Sequence, residues 1–104
     1  MNAQVSNWLA EQFGDDTDLI QAVYDEYLQA CATKLEEGRR ARAAEDYPLL
    51  DRIAHTLKGN ALMVGDKPSA DAAISLRDAS RISDGAAADV ALAQLVALDA
   101  QNRS

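Results

Sequence analysis

The sequence predicts an all-α protein, and both its composition and its apolar spacing indicate this class. The 104 residues include 21 Ala and 12 Leu but only 10 Val, Ile and Phe together, a balance that favours helix over sheet. Apolar residues recur at spacings of three and four, whereas no useful length alternates apolar and polar residues. We therefore expect an antiparallel four-helix bundle with a short N-terminal lid helix, forming one domain over residues 1–104.

The first two predicted helices form the lid and the longest element of the bundle. The lid helix contains Trp8, Leu9 and Phe13 and ends at Gly14. The second helix is expected to continue through Gly38, although a helical glycine costs ~1 kcal/mol and Gly38 could equally end the helix. Its apolar stripe consists of Ile20, Val23, Tyr24, Tyr27, Leu28, Cys31 and Leu35.

The third helix is predicted to begin after Asp46, with Pro48 in its first turn, and to run to about Gly65. At about 100° per residue, one narrow arc of this helix is apolar and faces the core. His55, Gly59 and Leu62 fall on the opposite side. The core arc consists of Leu50, Ile53, Leu57, Ala61 and Val64.

Two further helices complete the predicted bundle. The segment Asp66-Lys67-Pro68 starts the fourth helix, which is expected to end near Ile82. The fifth helix begins near Ala86 and is expected to fray over residues 101–104. Its predicted buried residues are Val90, Leu92, Leu95, Val96 and Leu98.

The charge and cysteine content exclude several classes of function. A net charge of −7 provides little material for the basic face that nucleic-acid binding needs. No apolar run approaches the ~20 residues that span a bilayer, and the first residues do not resemble a secretory signal. The only cysteine, Cys31, forms neither a disulfide framework nor a cysteine zinc site. We expect a cytoplasmic protein whose partner is another protein.

Chemistry is suggested by one segment, Ile53-Ala54-His55-Thr56-Leu57-Lys58-Gly59-Asn60. It lies in residues 47–82, where four acids and five bases give +1, while both flanking segments are acidic. On a helix, Lys58 and Gly59 lie one turn from His55 on the same side. Lys58 offers a cation for an anion carried on the imidazole, and Gly59 removes a side chain that would crowd the ring. Leu62 is predicted to be exposed on the same face, which is typical of a docking patch.

This motif, with Gly65 at its end, resembles the signature of histidine-containing phosphotransfer (HPt) domains. The resemblance extends from roughly Asp18 to Ile82 and matches the final helix only in pattern. It implies a phosphorelay intermediate in which His55 accepts a phosphoryl group from an aspartyl-phosphate receiver domain and passes it to another receiver. Lys58 and Gly59 would support the phosphoryl group and the partner.

The resemblance also implies the partners and the site's surroundings. The expected receiver-docking face consists of Asp51, Arg52 and Leu62. Response-regulator receiver domains are the expected partners, with a hybrid histidine kinase as a further one. Neither a metal nor another cofactor is expected on this chain, because Mg²⁺ would sit on the receiver. One departure is that Arg77 follows Leu76, where the family often has an acidic residue.

Two alternatives compete with the phosphorelay. On periodicity alone, His55 beside Lys58 is a solvated helix face, and the protein would be a non-phosphorylated helical adaptor. The phosphoacceptor part of a histidine kinase is disfavoured, because Thr56 stands where that pattern has an acid. No Gly-rich nucleotide loop is present, so we expect a phosphoryl carrier without kinase activity. A monomer is expected, since a fixed dimer would cover Leu62.

Overall fold

The computed structural model describes all residues from Met1 to Ser104 and contains five α-helices and no strand, which confirms the all-α prediction. Both the end of the first helix before Gly14 and the continuation of the second through Gly38 are confirmed. None of the helices combines the length and apolar composition needed to cross a bilayer. The helices are α1 (Ala3–Phe13), α2 (Thr17–Ala43), α3 (Tyr47–Met63), α4 (Lys67–Arg81) and α5 (Gly85–Arg103).

Every helix begins at an Asn or Asp that caps it. In each case the side-chain oxygen accepts a hydrogen bond from a backbone N–H three residues later, at 2.9–3.3 Å. This satisfies one of the amide groups that the first turn leaves without a helical partner. The caps are Asn2, Asp16, Asp46, Asp66 and Asp84.

The three turns that join α2 to α5 share one geometry. Each contains a residue in the left-handed region, with φ of 54° at Glu45, 70° at Gly65 and 53° at Ser83. The following Asp donates its backbone N–H to a carbonyl five residues earlier at 2.9 Å in all three turns. This is the hydrogen bond of a Schellman C-cap. Each of these helices therefore ends in a tight turn that leads directly into the next cap.

Helices α2 to α5 enclose a common core. Helix α3 packs between α2 and α4, and α5 closes the ring by packing against α4 and α2. The predicted core arc of α3 is confirmed, since all five of its residues are buried. Because this arc faces inward, the opposite side of α3 is left on the surface.

Helix α1 packs against α2 and inserts Val5 and Leu9, both fully buried. The indole of Trp8 lies over the α3–α4 turn and donates a hydrogen bond to the carbonyl of Met63 at 3.3 Å. A Cβ at Gly65 would lie 2.5 Å from Trp8 Cγ. Only glycine therefore fits this turn, both for its positive φ and for the closeness of the indole.

Two predictions for α5 are wrong. Val90 is 61% exposed rather than buried, because it lies on the side of α5 opposite to the arc of Ala88, Ala91 and Leu95 that packs on the bundle. The C-terminal residues do not fray, since α5 continues to Arg103. Side-chain hydrogen bonds to α2 and to the start of α4 hold this last turn in place.

A buried polar cluster fastens the last turn of α5 to the start of α4. The Asp66 carboxylate, 2% exposed, accepts hydrogen bonds from the Tyr27 hydroxyl at 2.7 Å and from Asn102 Nδ2 at 3.0 Å. Burial raises the pKa of Tyr27 far above its usual value, so its hydroxyl remains a donor. The Tyr24 hydroxyl donates to the carbonyl of Asn102 at 3.1 Å. Helices α2, α4 and α5 are thus joined around one carboxylate.

Gly38 lies buried where α2 meets its neighbours, and its replacement by alanine is expected to stabilise the protein. An added Cβ would meet Leu92, Ile53 and Leu50 at 3.4–3.8 Å, which is ordinary van der Waals contact. Alanine would also remove the helical penalty of glycine, so we expect the free energy of unfolding to rise by up to ~1 kcal/mol. Urea denaturation checks this, and a loss of stability would show that the interface cannot accept a methyl group.

Candidate functional site

The outward side of α3 carries the predicted site residues in one stripe. Asp51, His55, Lys58 and Leu62 follow at intervals of four, three and four residues, so they lie one above another on the helix. His55 is exposed, and its ring makes no hydrogen bond or ion pair within the chain. An imidazole in this position is open to a reactant from solvent.

Lys58 stands one turn beyond His55 and is half-buried. No carboxylate lies within ion-pairing distance of its ammonium group. Lys58 borders a shallow groove that Leu62, Ile74 and Trp8 also line. Its charge has no partner within the chain and can pair with an anion from outside.

Gly59 leaves open space beside the ring. A Cβ built at this position meets no atom within 4 Å. Its backbone is helical without positive φ, so neither the conformation nor the packing of α3 requires glycine here. A glycine at this position lowers helix stability. Its effect on the surface is to leave free space on the same side of α3 as His55.

The three docking-face residues have different surroundings. Leu62 is 52% exposed and Arg52 is exposed without an ion pair. Asp51, in contrast, is occupied: its Oδ1 accepts from Arg77 Nε at 3.2 Å and lies 3.6 Å from Arg81 Nε. Arg77, the departure from the family pattern, thus pairs with a carboxylate one turn from His55.

An apolar rim borders the stripe on the side of α4 and α1. Ile74 and Trp8 are each 39% exposed and lie along the groove with Leu62. The sequence pattern assigns Trp8 to a lid and does not assign Ile74 to the site. The spacing of residues within α4 does not predict that Ile74 faces this groove. Its orientation depends on how α4 packs on α3.

Other reactive groups lie away from the stripe. Burial raises the pKa of the Cys31 thiol to about 11, so it stays protonated at neutral pH. No three His, Cys, Asp or Glu side chains converge in a geometry that would hold a metal ion. Of these two groups, the His55 imidazole is exposed and the Cys31 thiol is buried.

Comparison with known families agrees with the motif. The family model described as "Hpt domain" matches residues 22–101, which is most of the chain and includes nearly all of α5. No curated protein and no solved structure matches the chain. The chain therefore belongs to the Hpt domain family, whose members have a phosphotransfer role in two-component signalling and are phosphocarriers rather than kinases.

Proposed function

We propose that this protein is a phosphorelay intermediate whose phosphoacceptor is His55. The single observation that carries the proposal is the setting of the chain's only histidine. It stands exposed and without a bonding partner on α3, with the unpaired Lys58 one turn away and open space at Gly59.

The proposed step is a displacement at phosphorus. An imidazole nitrogen of His55 attacks the phosphorus of an aspartyl phosphate on a receiver domain. The N–P bond forms with the nitrogen lone pair while the P–O bond breaks, and the aspartate carboxylate leaves with that electron pair. The reverse displacement, by the aspartate of a second receiver, returns His55 to its starting state. A neutral imidazole needs no partner base for this attack.

The side chains around His55 support this step by charge and clearance. Lys58 would neutralise part of the charge on the phosphoryl oxygens, and Gly59 would let the receiver approach in line. We assign Mg²⁺ to the receiver, since phosphoryl transfer needs cations around the phosphoryl oxygens and the stripe on α3 offers no carboxylate cluster for one. The receiver would dock on the exposed face around Arg52 and Leu62, with Asp51 at its edge.

The architecture that we propose for this carrier is an antiparallel four-helix bundle of α2 to α5, with α1 as a lid, in one domain over residues 1–104. The ring of helix contacts and the tight turns support the bundle, and the burial of Val5 and Leu9 supports the lid. We propose a monomer, because a dimer through the stripe would cover Leu62 and His55.

Transfer from a phosphorylated receiver tests the proposal. The purified protein is mixed with receiver domains carrying a radioactive aspartyl phosphate, and we expect label on the protein that is lost in acid and retained in base, as a phosphoramidate is. Label that survives acid would place the phosphoryl group on another residue. Absence of label across a broad receiver panel would favour a non-phosphorylated helical adaptor.

A further inference from the structure

An ion pair joins α3 to α4 one turn from His55, and the role inferred below for its arginine rests on the proposed function. The Arg77 guanidinium is held by the Asp51 carboxylate at 3.2 Å, and both side chains are little more than a quarter exposed. Partial burial weakens screening by solvent, so this pair is stronger than an exposed one. The pair lies at the interface of the two helices.

Most N–H donors of the Arg77 guanidinium make no hydrogen bond within the chain. Arginine has five N–H donors, and the hydrogen bond to Asp51 uses Nε alone. The groups at Nη1 and Nη2 make no hydrogen bond within the chain. A planar guanidinium with two free nitrogens is suited to bind two oxygens of a phosphoryl group at once.

The contact with Asp51 sets the position of this cation one turn of α3 from His55. Asp51 and His55 are four residues apart on α3, a spacing that sets their Cβ atoms about 5–6 Å apart. Arg77 follows Ile74 by one turn of α4, and Ile74 borders the same groove as Lys58. Lys58 and Arg77 thus lie on α3 and α4 towards opposite ends of the stripe, with His55 between them.

The two arginines offset the negative charge of Asp51 near His55. An unpaired Asp51 carboxylate one turn from His55 would repel the phosphoryl dianion. With Arg77 and Arg81 both on its Oδ1, the three side chains together carry +1. The acidic residue that often follows the equivalent leucine in the family would instead place a second negative charge here.

We propose that Arg77, positioned by Asp51, binds the phosphoryl group on His55 as a second cation besides Lys58. Of the two arginines, Arg77 makes the closer contact, whereas Arg81 is 54% exposed and lies one further turn of α4 away from Ile74. Arg81 is therefore the control variant: it has the same charge and the same carboxylate partner, but it makes no hydrogen bond to Asp51 and is the more exposed of the two.

Chemical phosphorylation provides the test without a receiver. Potassium phosphoramidate donates its phosphoryl group to an imidazole nitrogen with loss of ammonia, and His55 is the only histidine that it can load. The ³¹P resonance of phosphohistidine is then titrated with pH in the wild type, Arg77→Gln, Arg77→Lys and Arg81→Gln. A nearby cation favours the more negative form and so lowers the midpoint.

We expect the Arg77→Gln midpoint to lie about 0.5 pH unit above that of the wild type, with Arg77→Lys between them and Arg81→Gln close to the wild type. Coincident titrations of the wild type and Arg77→Gln would overturn the proposal. An equal shift in Arg81→Gln would overturn it too, since it would reveal only a general loss of positive charge. Because no receiver is involved, a failed transfer assay with a clear Arg77 effect would refute the proposed function alone.

Discussion

Replacing Gly59 with glutamine is expected to slow phosphoryl transfer to His55 about 100-fold without destabilising the protein. Nothing lies within 4 Å of a Cβ at this exposed position, so the substitution begins in open space. It would project one turn from His55 on the same side and occupy the space through which, in the proposed function, a receiver approaches. The free energy of unfolding should stay the same or rise by up to ~1 kcal/mol, because glutamine is the better helix former.

Two variants separate crowding from helix stiffening. Gly59→Ala adds only a methyl group and should reduce the transfer rate much less than Gly59→Gln. Gly38→Ala brings a similar gain in helix propensity at a buried position that faces the core side of α3, and it should transfer at the wild-type rate. Rates are measured with a phosphorylated receiver. A Gly59→Gln variant that transfers normally would show that clearance beside the ring is unimportant.

Among the variants considered, Asp66→Ala is expected to lower the free energy of unfolding most, by about 3 kcal/mol. Asp66 caps α4, and loss of such a cap costs ~1 kcal/mol. The variant also leaves the buried Tyr27 hydroxyl without its acceptor, and hydrogen bonds to a charged group contribute about 1.5–3 kcal/mol each. The bond from Asn102 is lost as well, so the last turn of α5 should loosen.

The Tyr27→Phe variant isolates one part of this cluster. It removes the hydroxyl donor but keeps the cap, and it should therefore cost less than Asp66→Ala. In the double variant the total loss should be smaller than the sum of the two single losses, since both remove the same hydrogen bond. Urea denaturation measures all three. Additive losses would mean that the Tyr27 hydroxyl and the Asp66 carboxylate do not stabilise each other.

Helix positions and the core face of α3 follow from local rules and can be predicted from the sequence. The Asp46 and Asp66 caps, each with a proline two residues later, and the arc around Leu57 depend only on neighbours along one helix. The prediction for Val90 is wrong because α5 is rich in alanine on several sides, so its apolar pattern does not single out one face. The side of α5 that faces the core is set by how the helix packs against α2 and α4.

The site shows the same division between local and long-range contacts. The grouping of His55, Lys58 and Gly59 on one side of α3 is predicted by spacing within the helix and by the motif. The pairing of Asp51 with Arg77 spans 26 residues and depends on how α4 docks on α3. Likewise, the contact between Asn102 and Asp66 spans 36 residues. No periodicity within a single helix carries information about such pairs.

The central claim is that His55 receives the phosphoryl group, and parallel assays of the wild type and His55→Gln test it most directly. His55 is exposed and bonds to nothing within the chain, so the variant should unfold within ~0.5 kcal/mol of the wild type. We predict acid-labile label from a phosphorylated receiver on the wild type and none on His55→Gln. Equal labelling of both proteins would contradict the assignment of His55.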